Sequence, residues 1–392
     1  WDLLAREEAP AGEYTNGEGA RGVVEAIHYT PNEVLVAVAP TVGVTAALAF
    51  VGGYVLARVI GARVPGALVA GAALAFAPWR SGQVTHLNVY SIGGIALALG
   101  LLVRGHGWSA REGFRRDRVS PGWVLAGWVV AAWQLSLGFA TGIVFGYVLG
   151  LVVVLLLLGW VVRFGRGVPR AALVAEAVGA VGFAVVVWAM SRPYFRVVEQ
   201  YPEARRDEGW LPVFAPSWRG LLTAPDTNVF WRGHQQVWRE GLDWPNETAL
   251  LPGAVLLVLA VVGLVYSAWS WRLRAGLAAA TVVAAVLALG TDAPGEGRYT
   301  LLPLYHVLPG WSAMRVSGRL VVWTTLALCL LAAGAMTRVT DALLPRGGLR
   351  GVPGPAAATE TTAPETTVPE TTVPETARVA SYPGSVASYP GS

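Results

Sequence analysis

The feature that most constrains this chain is a series of long apolar blocks with almost no charge inside them, such as 142–162 and 249–268. About 20 apolar residues span the hydrocarbon core of a bilayer. Backbone amides in lipid must be paired within the segment, so runs of this kind are helices. Composition agrees: 54% of the 392 residues are hydrophobic and 14% are charged, against about 25% charged in soluble domains. A soluble enzyme, a nucleic-acid binder and a disordered hub are excluded. The predicted fold class is all-α, a polytopic transmembrane helix bundle.

Nine spans are predicted, at about 34–57, 64–78, 89–103, 122–138, 142–162, 171–190, 249–269, 275–290 and 320–337. The second and third are short for a full crossing and read equally as re-entrant segments. Arginines follow alternate spans: Arg58 and Arg63, then Arg104, Arg111, Arg115, Arg116 and Arg118, then Arg163, Arg166 and Arg170, then Arg272 and Arg274, then Arg338, Arg346 and Arg350. The short opposite loops 79–88 and 139–141 hold only Arg80. Basic residues mark the cytoplasmic side, which leaves 1–33, 79–88, 191–248 and 291–319 extracytoplasmic. The domain plan is therefore an outer segment 1–33, a helical domain 34–340 that includes the outer loop 191–248, and a tail 341–392. Pro193, Pro202, Pro212, Pro216, Pro225 and Pro245 argue against one long helix in the outer loop.

The tail repeats Glu-Thr-Thr-x-Pro over 360–376, and 379–385 recurs as 386–392. With little to bury it is expected to be disordered, and the arginine pattern puts it in the cytoplasm. All 29 basic residues are Arg, as expected of a GC-rich bacterial genome. The single cysteine, Cys329, excludes a disulfide within the chain. The chain opens at Trp1 with neither Met nor a signal-peptide pattern, and is expected to be a fragment lacking its first helix.

Few ionisable groups lie inside the spans. Glu176 is the clearest, six positions after Arg170 and so roughly 9 Å along a helix; an interfacial or packing role is the plainer reading. Polar residues gather outside. In 77–88, Pro78 ends a helix and Arg80, His86 and Asn88 can face one cavity, although an ordinary capped hairpin explains them too. Arg315 and Arg319, four apart, would share a helix face. A guanidinium suits bidentate binding of phosphate, with pairing to loop carboxylates as the alternative. The long loop carries Trp210, Trp218, Trp231, Trp238 and Trp244, able to stack on sugars or to belt the membrane interface. Asp226, Asp243 and Glu247 lie among them, each a potential general base. His28, His86, His234 and His306 fall on the outer side without metal-ligand spacing, so neither a metal nor any other cofactor is expected.

With these residues in view, the chain resembles bacterial, actinobacterial-type polytopic membrane glycosyltransferases of the GT-C class over about residues 40–340. The resemblance rests on Ala75-Phe76-Ala77-Pro78-Trp79-Arg80 with His86-Leu87-Asn88, and on Gln134-Leu135-Ser136. It rests also on Phe214-Ala215-Pro216-Ser217-Trp218 with Leu222-Thr223-Ala224-Pro225-Asp226, and on Arg315-Val316-Ser317-Gly318-Arg319. The last is similar to the family's Arg-Val-Pro-Ala-Arg-Phe, departing at the Pro, Ala and Phe positions.

The resemblance implies a sugar donor on a polyprenyl phosphate, transfer at the outer face of the plasma membrane, and an envelope glycan or protein as acceptor. It implies a base in the first outer loop; 1–33 holds Asp2, Glu7, Glu8, Glu13, Glu18, Glu25 and Glu33, none of them singled out, and the family acid is expected to be lost with the missing terminus. On this reading Arg315, Arg319 and Arg80 hold the donor phosphate, and Asp226 or Glu247 serves as base. His86, Asn88, Trp218 and Trp231 then contact substrate. A transporter or flippase of lipid-linked precursors and a non-catalytic scaffold are the rival readings; the former predicts repeats with interrupted helices, which the two halves do not display. Proteolysis of intact spheroplasts checks the sidedness: cleavage is expected within 191–248 and not within 105–120, and the reverse pattern overturns it.

Overall fold

A computed structural model describes residues 31–344, apart from Thr85, Arg166, Val168 and 203–207, with side chains from Pro40 onward. Helix dominates. The longer helices are α1 (Pro31–Ile60), α2 (Val64–Ala75), α3 (Gly93–Gly105), α4 (Pro121–Leu137), α5 (Phe139–Phe164), α6 (Arg170–Gln200), α7 (Ala254–Val265), α8 (Trp271–Ala288) and α9 (Val321–Leu343). The strands among the described residues, β1 (Trp108–Ser109) and β2 (Gly113–Phe114), form one antiparallel hairpin. Six helical stretches are long and apolar enough to cross a membrane: Pro40–Ile60, Leu87–Gly105, Phe139–Phe164, Arg170–Gln200, Trp271–Ala288 and Ser317–Leu343.

The helix at the centre is α9, which packs against α2, α7 and α8. Its apolar window is 83% buried, against 17% for α6 and 11% for α8. The latter two leave apolar surface outward, with Val174, Val178, Val181 and Val185 all exposed on α6. Such surface is unfavourable in water and suits lipid. Small residues let the central helices approach closely. At Gly66 of α2, an added Cβ would sit 2.5 Å from the Ala333 carbonyl oxygen and 2.6 Å from Thr337 Oγ1 of α9, so a larger residue would force the two helices apart.

The polar groups segregate to the two ends of this bundle. At the arginine-rich end, Asp341 of α9 accepts from Arg63 Nε at 2.8 Å and from Arg111 at 2.7 Å. It thereby ties the α1–α2 connection to the loop after α3. Arg115, between Asp117 and Glu112, holds the Asp117 carboxyl below the usual carboxylate range by hydrogen bonding. Beneath that surface lies a buried network. His106 Nε2 stands 3.2 Å from Glu176 Oε1, and Trp128 Nε1 donates to Glu176 Oε2 at 2.8 Å. Trp160 Nε1 donates to the His106 carbonyl at 3.0 Å. Glu176 is thus a buried tie between α4, α6 and the end of α3, rather than an interfacial group.

The expected spans and the helices differ in places. The segment expected at 249–269 begins only at Ala254, because Pro252 precedes a Gly253 held at φ 134°. The sixth helix continues to Gln200, ten residues past the expected loop boundary, with Pro193 inside it; a proline removes one helical hydrogen bond without always ending the helix. Beyond it, the outer loop consists of short helices and 3-10 turns, as its prolines require. The ninth helix runs to Leu343, past the tail boundary placed at 341. The acids of 1–33 other than Glu33, as well as His28 and the repeats of the tail, lie outside the described residues, and Glu33 falls where no side chain is described.

Leaving a buried donor without its acceptor costs about 1–3 kcal/mol. Glu176→Ala is therefore expected to lower the melting temperature of the detergent-purified protein clearly. Glu176→Gln, which keeps an acceptor for Trp128, should cost less; equal melting of all three proteins would refute the tie.

Candidate functional site

At the opposite end of the bundle, α2 stops at Phe76 and the chain turns through the 3-10 segment Pro78–Gln83. Proline favours the first position of such a turn because its φ is preset and its missing N–H is not needed there. Trp79 anchors the turn, donating from Nε1 to Thr325 Oγ1 of α9 at 3.0 Å and from its backbone N–H to Leu251 at 3.1 Å. Arg80 points inward, 1% exposed. It donates to the Ala75 carbonyl, to the Leu74 carbonyl at 3.4 Å and to the Tyr90 carbonyl at 2.8 Å. Its guanidinium also lies 4.1 Å from the centroid of the Tyr90 ring. Orphan carbonyls at a helix C-terminus take cationic donors readily. Burial brings the Arg80 guanidinium down to about 10, opposed by Tyr90, so it stays charged at neutral pH. Its place is that of an internal clamp on the end of α2, presenting almost no surface to a ligand.

Three separate segments meet at Glu247. Trp244 takes a left-handed conformation, φ 49°, and Pro245 starts the short helix Pro245–Thr248. Together they turn Glu247 back against the bundle, where it is 8% exposed. Its Oε1 accepts from Arg319 at 2.9 Å and lies 3.7 Å from His86 Nε2. Its Oε2 accepts from Gln83 Nε2 at 3.2 Å, and that amide also donates to the Asn246 carbonyl at 2.8 Å. Gly318 closes the floor, since a Cβ there would lie 3.0 Å from the Glu247 carbonyl oxygen. The segment continues as a strand-like strip, Leu250 donating to Gly220 at 2.7 Å and Leu251 to Thr223 at 2.9 Å.

Arg315 and Arg319 do come together, but not on one helix face. Met314 and Val316 are extended, and Arg319 lies in the 3-10 turn Ser317–Leu320 ahead of α9. A bend in the chain, not helical periodicity, brings both to a small cavity of about 30 Å³, lined also by Thr141, Val144, Met314 and Trp323. Arg315 stacks 4.6 Å from the Phe214 ring centroid. Arg319 Nε and Trp323 Nε1 are buried and have no acceptor among the described residues. An unmatched indole N–H and an unmatched guanidinium N–H, beside the Arg315 guanidinium, make this a place for an acceptor or anion.

A second cavity, about 580 Å³, opens among the outer loops. It is lined by Glu208, Asp243, Asp292 and Glu296 with the hydroxyl residues Ser217, Thr248 and Thr291, and no basic residue lines it among the described residues. Thr248 in its wall adjoins Glu247, whose partner Arg319 lines the small cavity. Glu296, one of the two non-glycine residues with positive φ among the described residues, lines this cavity, and Trp244, the other, follows its Asp243. Backbone strain of that kind concentrates at functional sites.

Of the remaining residues predicted from sequence, none joins the Glu247 cluster. Asp226 and Asn88 are exposed. Trp218 is exposed with Arg219 5.7 Å from its ring, and Trp231 packs against Phe230 and His234. His306 pairs with Glu208 at 3.1 Å. No group of three or more His, Cys, Asp or Glu able to hold a metal occurs among the described residues. Sequence reasoning missed Gln83 and offered Asp243 only as one of three potential bases. Gln83 had a signal, lying in the same polar turn as Arg80 and His86.

Comparison with protein-family models, with curated proteins and with solved structures finds no match. What fold and site define is a helical protein, with several helices able to cross a membrane and a charged cluster at one end of its bundle.

Leaving buried carbonyls without their donor costs about 1–3 kcal/mol. Arg80→Ala should accordingly destabilise the protein by that order, read as a lower melting temperature. If Arg80→Ala melts as the parent does, the clamp is not what secures α2.

Proposed function

We propose that this chain is an integral membrane glycosyltransferase of the bacterial plasma membrane, moving a sugar from a polyprenyl-phosphate donor to an envelope acceptor at the extracytoplasmic face. In this reading the bundle has about nine spans, the short second and third of them crossing or re-entrant, and the C-terminal tail is cytoplasmic. The observation that carries the proposal is a pair of unlike cavities, one lined by Arg319, which bonds Glu247, and the other by Thr248, the next residue in the chain. One is small and rimmed by Arg315 and Arg319 with unmatched N–H donors, which suits a phosphate at its mouth. The other is larger, acidic and hydroxyl-lined, a size suited to a sugar-sized acceptor.

Division of charge gives each ligand its place. Phosphate is attracted to the guanidinium groups and repelled by Glu208, Asp243, Asp292 and Glu296. An acceptor hydroxyl finds hydrogen-bond acceptors in the second cavity, and Asp243 is positioned there to take its proton as general base. Glu247, ion-paired with Arg319 and held by Gln83, orients the guanidinium for the departing phosphate. Stabilising the charge that develops on a leaving group is worth about 10²–10³-fold in rate per donor.

Replacing Arg315 and Arg319 together with Gln, in the full-length protein in proteoliposomes, should lower sugar transfer from a radiolabelled polyprenyl-phosphate sugar by about 10²-fold or more. Asp243→Asn should depress turnover while sparing donor binding. Undiminished transfer in the arginine variant would remove the site assignment. Movement of labelled lipid across the bilayer without transfer would instead favour a flippase.

A further inference from the structure

The loop 226–239 turns several polar side chains inward: Arg239, 8% exposed, donates to the carbonyls of Ala224, Trp231 and Arg232. Gln235 accepts from Ala224 N at 2.8 Å and donates to the Leu222 carbonyl at 2.9 Å, and Asn228 accepts from Trp231 N at 3.2 Å. Its larger apolar side chains face outward, beside the exposed Asp226, Arg232, His234 and Gln236, with Val229 82% exposed, Val237 79%, Phe230 68% and Trp238 44%. In water that arrangement exposes the groups with most to gain from burial.

This apolar surface continues from the outward side of the helix ends. Thr227 Oγ1 bonds Ser81 Oγ at 3.2 Å, which fixes the loop to the turn that follows α2. Two apolar residues on the same side of the bundle, Phe76 at the end of α2 and Val255 at the start of α7, are 72% and 73% exposed. Both lie where helices able to carry lipid-facing surface emerge. An aromatic and aliphatic cluster at that level matches the boundary between acyl chains and headgroups.

We propose that the 226–239 loop is a membrane-seated element, placing Val229, Phe230 and Val237 in the lipid surface beside the ends of α2 and α7. The loop has no free basic cluster, so the attraction is apolar rather than electrostatic. Its partner is the acyl–headgroup boundary of the bilayer, not a particular anionic lipid. The inference stands apart from sugar transfer and holds whether or not that reaction is the correct one.

Nitroxide labels test it. Phe230→Cys, Val237→Cys and, as the reference, Glu240→Cys are made singly in a Cys329→Ala background. Each full-length protein is reconstituted in vesicles of phosphatidylethanolamine and phosphatidylglycerol. Labels at 230 and 237 are expected to lose collisions with a water-soluble nickel chelate and gain collisions with oxygen, relative to 240. The same ratio should persist in vesicles of neutral phosphatidylcholine. Nickel access at 230 and 237 equal to that at 240 would overturn the proposal. So would shielding from both reagents, which signals burial against protein.

Discussion

Everything in this molecule follows from the demand that buried polar groups find partners where no water can serve them. Helices meet that demand for the backbone. The side chains meet it by withdrawing to the two ends of the bundle, where Asp341 gathers arginines at one end and Glu247 at the other. Between the ends, the Trp128 indole donates to Glu176, the Trp160 indole to the His106 carbonyl and the Trp79 indole to Thr325.

The central helix α9 links these ends mechanically. Its far terminus carries Asp341, and the turn leading into its near terminus carries Arg319. Its middle is lined by Ala332, Ala333, Gly334 and Ala335, small residues that admit α2 and α7 close to its backbone. A site built on the approach to such a helix is held more firmly than one on a free loop, and the Glu247–Arg319 contact sits there. Around it the electrostatics divide, with Arg315 and Arg319 lining one cavity and four carboxylates lining the other.

Arg80 and Arg319 show how one residue type takes opposite roles at neighbouring positions. Arg80 sits within reach of carbonyls left open by the end of α2, so all its bonding turns inward. Arg319 finds a single carboxylate, Glu247, and lines a cavity, although the Nε of each arginine is buried without an acceptor among the described residues. Nothing in the local sequence separates them. The difference arises from which backbone groups lie nearby after folding.

Read alone, the amino-acid sequence determined the helical class, the near positions of the long apolar segments, and the gathering of polar residues into a few connecting loops. These follow from composition and periodicity, which act over neighbouring residues. Helix ends such as Gln200 and Ala254 escaped it, because a proline or glycine there can end, bend or merely interrupt a helix depending on what packs against it. The convergence of Gln83, His86, Glu247 and Arg319 was decided only in three dimensions. So was the inward turn of Arg80, and so was the outward face of Val229 and Phe230. Each depends on contacts between segments far apart along the chain, and a pattern confined to one segment carries no record of them.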